Sequence, residues 1–170
     1  MSNHYPVMLN EVLENLSPKD GEVYVDGTFG AGGYTKAFLQ SADCTVIAID
    51  RDPNAVAAAE ELQKDFGDRF IFVRGCFGDA LELVKAAGFN QIDGFVLDIG
   101  VSSMQIDQPE RGFSFRFDGP LDMRMDTKNG STAADIVNDT EEEALANIIY
   151  QYGEERLSRR IAKRIVEKRS

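Results

Sequence analysis

The sequence predicts an α/β fold with a parallel sheet that carries helices on both faces. Short, largely apolar segments recur four times in the first hundred residues, and segments of helical periodicity separate them. A glycine-rich turn directly follows the first of these strands. Apolar strands that alternate with helices are typical of a parallel sheet buried on both sides. A chain of 170 residues is long enough for one sizeable core.

The elements of the first half are predicted from the spacing of apolar residues and from the residues that begin or end helices and turns. Apolar residues at positions 9, 12, 13 and 16 predict a helix before the first strand, which spans residues 23–26. The turn at 27–33 leads into a helix from about Tyr34. The next strand covers 45–49 and ends on Asp50. Asp52 followed by Pro53 predicts the start of another helix, since Asp is a good N-cap and Pro is favoured at the first helical position.

The second half changes character after one more pair of strands. Segments 70–73 and 94–98 are predicted strands, with a helix at 79–87 between them, and the last strand ends on Asp98. Residues 99–130 are predicted to be loop, and such long loops are usually functional. Thr140 and Glu143 fit a capping box that opens a helix. Leu157, Ile161 and Ile165 then mark the apolar stripe of a last helix.

Composition limits the class of protein. Hydrophobic residues make up 43% and charged residues 28%, as in soluble globular domains. No apolar run approaches the roughly 20 residues of a membrane span, and the N-terminus lacks a signal-peptide pattern. Two cysteines are too few for a disulfide framework or a metal site. We therefore expect a cytoplasmic protein with no membrane partner and no metal.

The charge is unevenly distributed along the chain. A net charge of −11 argues at first against a nucleic-acid partner. Residues 151–170, however, hold seven Lys/Arg and three Glu, whereas residues 1–150 hold eleven Lys/Arg and 26 Asp/Glu. The basic stretch can contact phosphate groups, and a solvated helix face explains it equally well. Both interpretations stay open.

The glycine turn and Asp50 predict a site for an adenosine-type cofactor. Glycines allow positive φ angles and let a ligand approach the backbone closely. An acid at the tip of the second strand can accept hydrogen bonds from ribose hydroxyls, and Asp50 lies there, 24 residues after Asp26. The alternatives are a tight turn without a ligand and, for Asp50, a helix cap, a role that Asp52 fills better.

The spacing of the glycines favours S-adenosylmethionine over a dinucleotide. Gly30 and Gly32 fit the dinucleotide fingerprint, but its third glycine is replaced by Thr35. A pyrophosphate needs N–H groups at a helix N-terminus, and Asp26 beside the turn would repel it. S-adenosylmethionine has no phosphate, and its ammonium group can face Asp26.

Three further residues are candidates for a role in the site. Phe77 follows the third strand, where an adenine edge would lie, and stacking on a base is worth roughly 1–3 kcal/mol. Ordinary core packing explains Phe77 equally well. Asp98 follows the fourth strand, at the edge where open α/β sheets place their chemistry, although it can also be a loop acid. His4 is the only histidine and is expected to be structural, so no hydrolytic Ser/His/Asp or Cys/His set can be assembled.

Longer strings are more specific than the glycine turn. They are DGTFGAGG at 26–33, IDRDP at 49–53, DIGVSSMQID at 98–107, RGFSF at 111–115 and DGPLDMRMD at 118–126. Together they closely resemble the MraW/RsmH family, over essentially all 170 residues. These are bacterial methyltransferases that act on N4 of a cytidine in small-subunit (16S) ribosomal RNA, with S-adenosylmethionine as the donor.

The resemblance implies a set of site residues and a partner. The cofactor contacts that it implies are Gly32, Gly33, Tyr34, Asp50, Phe77, Asp98 and Gln105. Many relatives carry His at the position of Tyr34. Because tyrosine keeps a ring and a hydrogen-bonding group, cofactor binding is expected to survive without the imidazole. The implied fold is the Rossmann-like sheet of S-adenosylmethionine-dependent methyltransferases. The implied partner is small-subunit ribosomal RNA or the immature small subunit, and a homodimer is left open.

The resemblance also implies a domain organisation. Residues 1–130 would form the cofactor-binding core with an incomplete sheet, and residues 131–170 would begin an inserted helical domain. Family members continue past this point, so we expect an N-terminal fragment that binds the cofactor poorly and is inactive alone. Two alternatives remain: a nicotinamide-dependent oxidoreductase, and a non-enzymatic adenosine-cofactor-binding domain if the short chain is natural.

Position in the sheet makes Asp98 the candidate catalytic residue. The amine of cytosine is a poor nucleophile, and hydrogen-bond acceptors around it would localise its lone pair during the attack. Asp98 and the carbonyls of 99–101 are the natural acceptors. Further along, arginines interleaved with phenylalanines suit contacts to RNA, or else a structural loop. They are Arg111, Arg116, Arg124, Phe113, Phe115 and Phe117.

Overall fold

The computed structural model describes residues 5–169. The chain divides into two compact units, Met1–Ser102 and Ser103–Ser170. The first unit contains α1 (Leu9–Leu16), β1 (Val23–Asp26), α2 (Gly33–Ser41), β2 (Thr45–Asp50), α3 (Ala55–Phe66), β3 (Phe70–Arg74), α4 (Ala80–Ala86) and β4 (Gly94–Val96). The second contains α5 (Ser103–Asp107), α6 (Ala133–Asp139), α7 (Glu142–Gly153) and α8 (Ser158–Lys168).

The four strands form one parallel sheet in the order β3-β2-β1-β4. The two central strands are almost completely buried, because apolar residues point to both faces of β1 and β2. From β1 the chain adds β2 and then β3 on one side of the sheet, and it returns to add β4 on the other side of β1. The arrangement confirms the predicted Rossmann-like α/β fold, and it brings the ends of β1, β2 and β4 to one edge.

Helices cover both faces of this sheet, as predicted. Alternate strand residues point to opposite sides. Val46 therefore joins a core that includes Phe38 of α2 and Leu62 of α3. Ile47 joins a second core with Val84 of α4. Complete burial of a side chain such as that of Phe38 stabilises the fold by about 1.5–3 kcal/mol.

Two boundaries in the first unit differ from the prediction. β4 ends at Val96, so Asp98 lies two residues beyond the strand instead of at its last position. α3 begins at Ala55, with Asn54 as the residue before it. The Asp52 carboxylate accepts a hydrogen bond from the Asn54 N–H at 2.9 Å, which forms a turn before the helix instead of a cap on it.

The second unit corrects two further predictions. The segment 99–130 is not entirely loop, because α5 lies within it and a 3-10 turn follows at Pro109–Arg111. The capping box is formed by Thr132 and Asp135 at the start of α6, and not by Thr140 and Glu143. Thr140 instead ends α6, since its N–H donates to the Ile136 carbonyl at 3.2 Å.

The helix α8 packs through small residues. Ser158 and Ala162 are buried, and Ala162 belongs to a core with Leu145 of α7. Leu157, by contrast, is 59% exposed and Ile161 is 37% exposed. Of the predicted apolar stripe, Ile165 packs against this core while Leu157 and Ile161 do not, because side chains without bulk at 158 and 162 let the two helices approach closely. Within residues 5–169, no helix has the length and apolar character needed to cross a membrane.

Candidate functional site

The glycine turn lies against the end of β2. Gly30 and Gly32 have φ angles of 55° and 79°, in the left-handed region that favours glycine. The half-buried carboxylate of Asp50 accepts one hydrogen bond from the Gly30 N–H at 2.7 Å and another from the Asp52 N–H at 2.8 Å. A carboxylate has about four acceptor positions, so Asp50 can brace the turn and still accept ribose hydroxyls.

Asp26 has a different role from the predicted one. Its side chain is completely buried. One carboxylate oxygen accepts from the Thr28 N–H at 3.2 Å, and the other accepts from the Thr35 hydroxyl at 2.7 Å. Asp26 therefore joins β1, the turn and α2 from inside, and does not face a cofactor ammonium. Its charge is also no longer an argument against a pyrophosphate in the turn.

Burial dominates the titration of Asp26. Removal from water raises the pKa of this carboxyl from 3.8 to about 6, and the hydrogen bonds from Thr35 and Thr28 oppose that rise. Near neutral pH the carboxylate is mostly ionised, at a cost in folding free energy. The hydrogen bonds from Thr28 and Thr35 strengthen as Asp26 ionises, but the cost of burying its charge outweighs them, so the stability of the fold at this point falls as the pH rises.

Asp98 lies beside the glycine turn, although it is not part of β4. Its backbone N–H donates to the Thr28 hydroxyl at 2.7 Å, which fixes the chain at this point. Its side chain is exposed, and one carboxylate oxygen lies 3.5 Å from the Tyr34 hydroxyl. The structure thus brings Asp98 and Tyr34 together at the edge of the sheet, next to the turn.

Tyr34 also anchors the segment before α1. Its buried hydroxyl lies 2.5 Å from the Val7 carbonyl, and this shorter contact takes its single proton. Burial and the negative charge of Asp98 raise the pKa of Tyr34, so the phenol stays protonated. Pro6 precedes Val7 and Gly33 precedes Tyr34, and these two residues are also in contact. The Pro6 ring covers Gly33 so closely that a Cβ at Gly33 would overlap it.

Replacement of Tyr34 by Phe tests this anchor. The variant loses the hydrogen bond to the Val7 carbonyl but keeps the buried ring. We expect the free energy of unfolding to fall by about 1 kcal/mol, the usual net contribution of such a bond. Urea denaturation followed by circular dichroism measures it, with the exposed Tyr152→Phe as the matched control. Equal stability of the Tyr34 variant and the wild type would contradict the anchor.

Phe77 lies next to the glycine turn and remains accessible. A Cβ at Gly27 would come within 3.1 Å of the Phe77 Cβ and 2.7 Å of Leu97 Cδ2, so only glycine fits there. The Phe77 side chain is 39% exposed, which leaves surface for a base to stack on. Its contact with a cofactor stays a prediction, but the interpretation as an ordinary core residue is weakened by this exposure.

The arginines of the long loop serve mainly to hold it together. Arg111 is buried, and its guanidinium donates to the Arg124 and Met125 carbonyls, both at 3.0 Å. The Arg124 guanidinium forms a bidentate ion pair with the Asp122 carboxylate at 2.7 and 2.8 Å, which lowers the pKa of Asp122 to about 2. The structural interpretation is therefore favoured for these two arginines. Arg116 is exposed and remains a candidate for RNA contact.

The remaining predicted site residues have separate outcomes. Gln105 is buried on α5 of the second unit, and its contact with the cofactor stays a prediction. His4 lies outside the described residues. Among residues 5–169, no group of three or more His, Cys, Asp or Glu side chains could hold a metal ion. Sequence reasoning missed Thr28 and Pro6, although the placement of hydroxyl-bearing residues in a glycine turn is a signal for hydrogen bonds with its acids.

The family model of the MraW methylase family matches residues 1–170. The chain belongs to the MraW methylase family. It is 63% identical over 166 residues to the ribosomal RNA small subunit methyltransferase H of Paramagnetospirillum magneticum, covering 98% of this chain and 52% of that protein. It is 59% identical to the protein of the same name from Rickettsia massiliae, covering 99% of this chain and 54% of that protein. It is 56% identical to the one from Rhodospirillum rubrum, covering 100% of this chain and 52% of that protein.

This MraW family chain thus spans about half the length of the curated relatives that it matches. Among solved structures, it is similar to the C-terminal domain of precorrin-6Y C5,15-methyltransferase from Rhodobacter capsulatus, with 20% identity and a TM-score of 0.46. That similarity covers 57% of this chain and 50% of the other. A methyltransferase from Geobacter sulfurreducens has 25% identity and a TM-score of 0.37, with 52% and 43% covered.

Proposed function

We propose that this chain supplies the S-adenosylmethionine-binding part of a methyltransferase that acts on the N4 amine of a cytidine in small-subunit ribosomal RNA. The observation that carries the proposal is the placement of the Asp50 carboxylate, the glycine turn and the exposed Asp98 carboxylate along one sheet edge in a member of the MraW methylase family. The names of the relatives, which are ribosomal RNA methyltransferases, support the substrate class.

The residues at this edge fit such a cofactor. Asp50 retains acceptor positions for the ribose hydroxyls after its two bonds to the backbone. Phe77 offers an exposed ring for adenine. Gly32 is buried and Pro6 covers Gly33, so the contacts of these two glycines with the cofactor rest on the family resemblance. Tyr34 and Asp98 lie beside the turn, and their contacts with the cofactor rest on the family resemblance. When bound, the cofactor supplies an electrophilic methyl group on sulfonium. The contribution of Gln105 rests on the family resemblance.

Asp98 is the group that we assign to the amine. Its N–H bond to the Thr28 hydroxyl fixes the backbone, while the carboxylate is exposed and can accept a hydrogen bond from a ligand. A carboxylate that accepts an N–H of cytosine N4 localises the lone pair of that nitrogen for attack. The Tyr34 hydroxyl lies 3.5 Å from this carboxylate.

Replacement of Asp98 by Asn separates catalysis from binding. If the carboxylate polarises the amine, we expect turnover to fall by roughly 10²–10⁴-fold, the usual range for one positioned acid–base group. Affinity for S-adenosylmethionine should change much less. Methyl transfer to immature small subunits, measured with a protein of the length of the relatives, gives turnover, and calorimetry gives affinity. Lost affinity with retained turnover would make Asp98 a purely binding residue.

Ligand choice tests the function itself. Calorimetry of a protein of the length of the relatives, with S-adenosylmethionine and with NAD, should detect heat only for S-adenosylmethionine. Binding of NAD without binding of S-adenosylmethionine would overturn the proposal in favour of the nicotinamide-dependent oxidoreductase. Methyl transfer to immature small subunits distinguishes an enzyme from a non-enzymatic cofactor-binding domain. We expect activity from the longer form and none from these 170 residues alone.

We also propose that residues 131–170 belong to a helical domain inserted into the cofactor-binding core. α6, α7 and α8 all lie in this segment, without a strand among its described residues. Limited proteolysis tests this boundary. We expect cleavage in the segment 127–131, which carries exposed Lys128 and Gly130, to leave a folded cofactor-binding core.

A further inference from the structure

A groove runs between α6 and α8 in the second unit. Its volume is about 650 Å³. Its floor is aliphatic and is formed by Val137, Leu157, Ile161 and Ile165. Its rim is basic and is formed by Arg160, Arg164, Lys168 and Arg169, with Asn138 as the remaining lining residue. We call it the α6–α8 groove. Four cations and no acid line it, in a chain whose net charge is −11.

Three of the rim cations form a line along α8. Arg160, Arg164 and Lys168 follow one another at intervals of four residues, so they lie on one side of the helix. Each interval advances about 6 Å along the helix axis. The line is therefore a strip of positive charge beside an apolar floor, as a polyanion with apolar parts would require.

The other contacts of the rim leave this strip accessible. Arg169 donates to the Val137 carbonyl at 3.2 Å and to the Thr140 carbonyl at 2.7 Å, so it fastens α8 to the end of α6 and has a structural role. Arg164 pairs with Glu167 at 2.9 Å, but both side chains are largely exposed. Such surface pairs contribute little and exchange readily for a stronger anionic partner.

We propose that the α6–α8 groove binds single-stranded RNA, with phosphates on the Arg160–Arg164–Lys168 line and a ribose or unstacked base on the aliphatic floor. The choice of RNA as the polyanion rests on the proposed function. Bases of single strands can turn away from their neighbours and reach an apolar surface, whereas those of a duplex cannot. The exposed Leu157 and Ile161 provide that surface.

A salt titration with matched charge variants tests the phosphate contacts. Arg160→Gln with Arg164→Gln removes two charges from the rim, and Arg159→Gln with Lys163→Gln removes two exposed charges outside the groove. Binding of a fluorescein-labelled 20-nucleotide single-stranded RNA to the 170-residue chain is followed by anisotropy. Loss of two phosphate contacts should reduce the slope of log K against log salt by about 1.4. The control variant should keep the wild-type slope.

A third variant tests the floor. Leu157 is 59% exposed, so Leu157→Ser should fold normally, as circular dichroism can verify. We expect a roughly 3–10-fold loss of RNA affinity at every salt concentration with an unchanged slope, since only an apolar contact is removed. Unchanged affinity in this variant would overturn the contact between the floor and the nucleotide.

The remaining outcomes also decide the inference. Equal loss of slope in both charge variants would show general electrostatic attraction and overturn the groove as a site. Absence of RNA binding by the wild type would overturn it as well. Sedimentation measures self-association of the chain. Self-association that the rim variant abolishes would also overturn the inference, because the groove would then contact a second copy. Groove-dependent RNA binding, with no S-adenosylmethionine binding by a protein of the length of the relatives, would leave the groove in place and overturn only the proposed cofactor.

Discussion

Replacement of Asp50 by Ala is expected to weaken S-adenosylmethionine binding by about 100-fold or more. Two ribose hydroxyls would lose a charged acceptor, and each such bond contributes roughly 1.5–3 kcal/mol. A loss of about 3 kcal/mol corresponds to about 100-fold in affinity. The Gly30 and Asp52 N–H groups lose their acceptor in the same variant, so the turn itself loosens. Calorimetry on a protein of the length of the relatives measures the dissociation constant.

Two further variants make the Asp50 experiment specific. Asp65 is an exposed acid on α3, and Asp65→Ala removes the same charge without touching the turn, so its affinity should match the wild type. Asp50→Asn keeps one acceptor oxygen but directs an NH₂ group at a backbone N–H. We expect a loss close to that of the Ala variant. Wild-type affinity in Asp50→Ala would mean that this acid only braces the turn.

Replacement of Asp26 by Ala is expected to lower the free energy of unfolding by about 2–5 kcal/mol. The Thr35 hydroxyl and the Thr28 N–H would lose their acceptor, and a buried polar group without a partner costs roughly 1–3 kcal/mol. Urea denaturation measures the change. Asp26→Asn is the matched variant, because an amide of the same shape can still accept from Thr28 and can donate to the Thr35 oxygen.

The wild type and Asp26→Asn are also expected to differ in how the free energy of unfolding depends on pH. The folded state raises the pKa of Asp26 from 3.8 to about 6, so folding favours the protonated carboxyl. Its contribution to stability is complete below about pH 4 and is lost as the pH rises through about 6. The stability of the wild type relative to Asp26→Asn should therefore fall by about 2–3 kcal/mol between pH 4 and pH 7. A constant difference would contradict the raised pKa.

The sequence predicted the sheet well because its signal is local. Apolar runs in β1 and β2 identify strands that are buried on both faces, and the alternating helices require parallel pairing. The position of Asp50 at a strand end followed from the same pattern. The catalytic candidate Asp98 was placed at the correct edge, although β4 ends two residues earlier.

Contacts between distant residues were not predictable in this way. Asp26 was expected to face a ligand, but its partner Thr35 lies nine residues away, and nothing in the spacing shows that a hydroxyl completes the pair. The face on which α8 packs was predicted only in part, since Ile165 contacts the core but Leu157 and Ile161 are exposed. Ala162 and Ser158 give no apolar signal, yet small size decides which side of a helix approaches its neighbour.

The hydrogen bond from Tyr34 to Val7 links residues 27 positions apart, with α1 and β1 between them. The end of the glycine turn is therefore held by the segment that precedes α1, in addition to its bonds with Asp50 and Asp26. Completion of the cofactor site is in this way coupled to the docking of α1 and the residues before it. A substitution in α1 that destabilises its docking should reduce cofactor affinity from a distance, by lowering the fraction of molecules whose turn is complete.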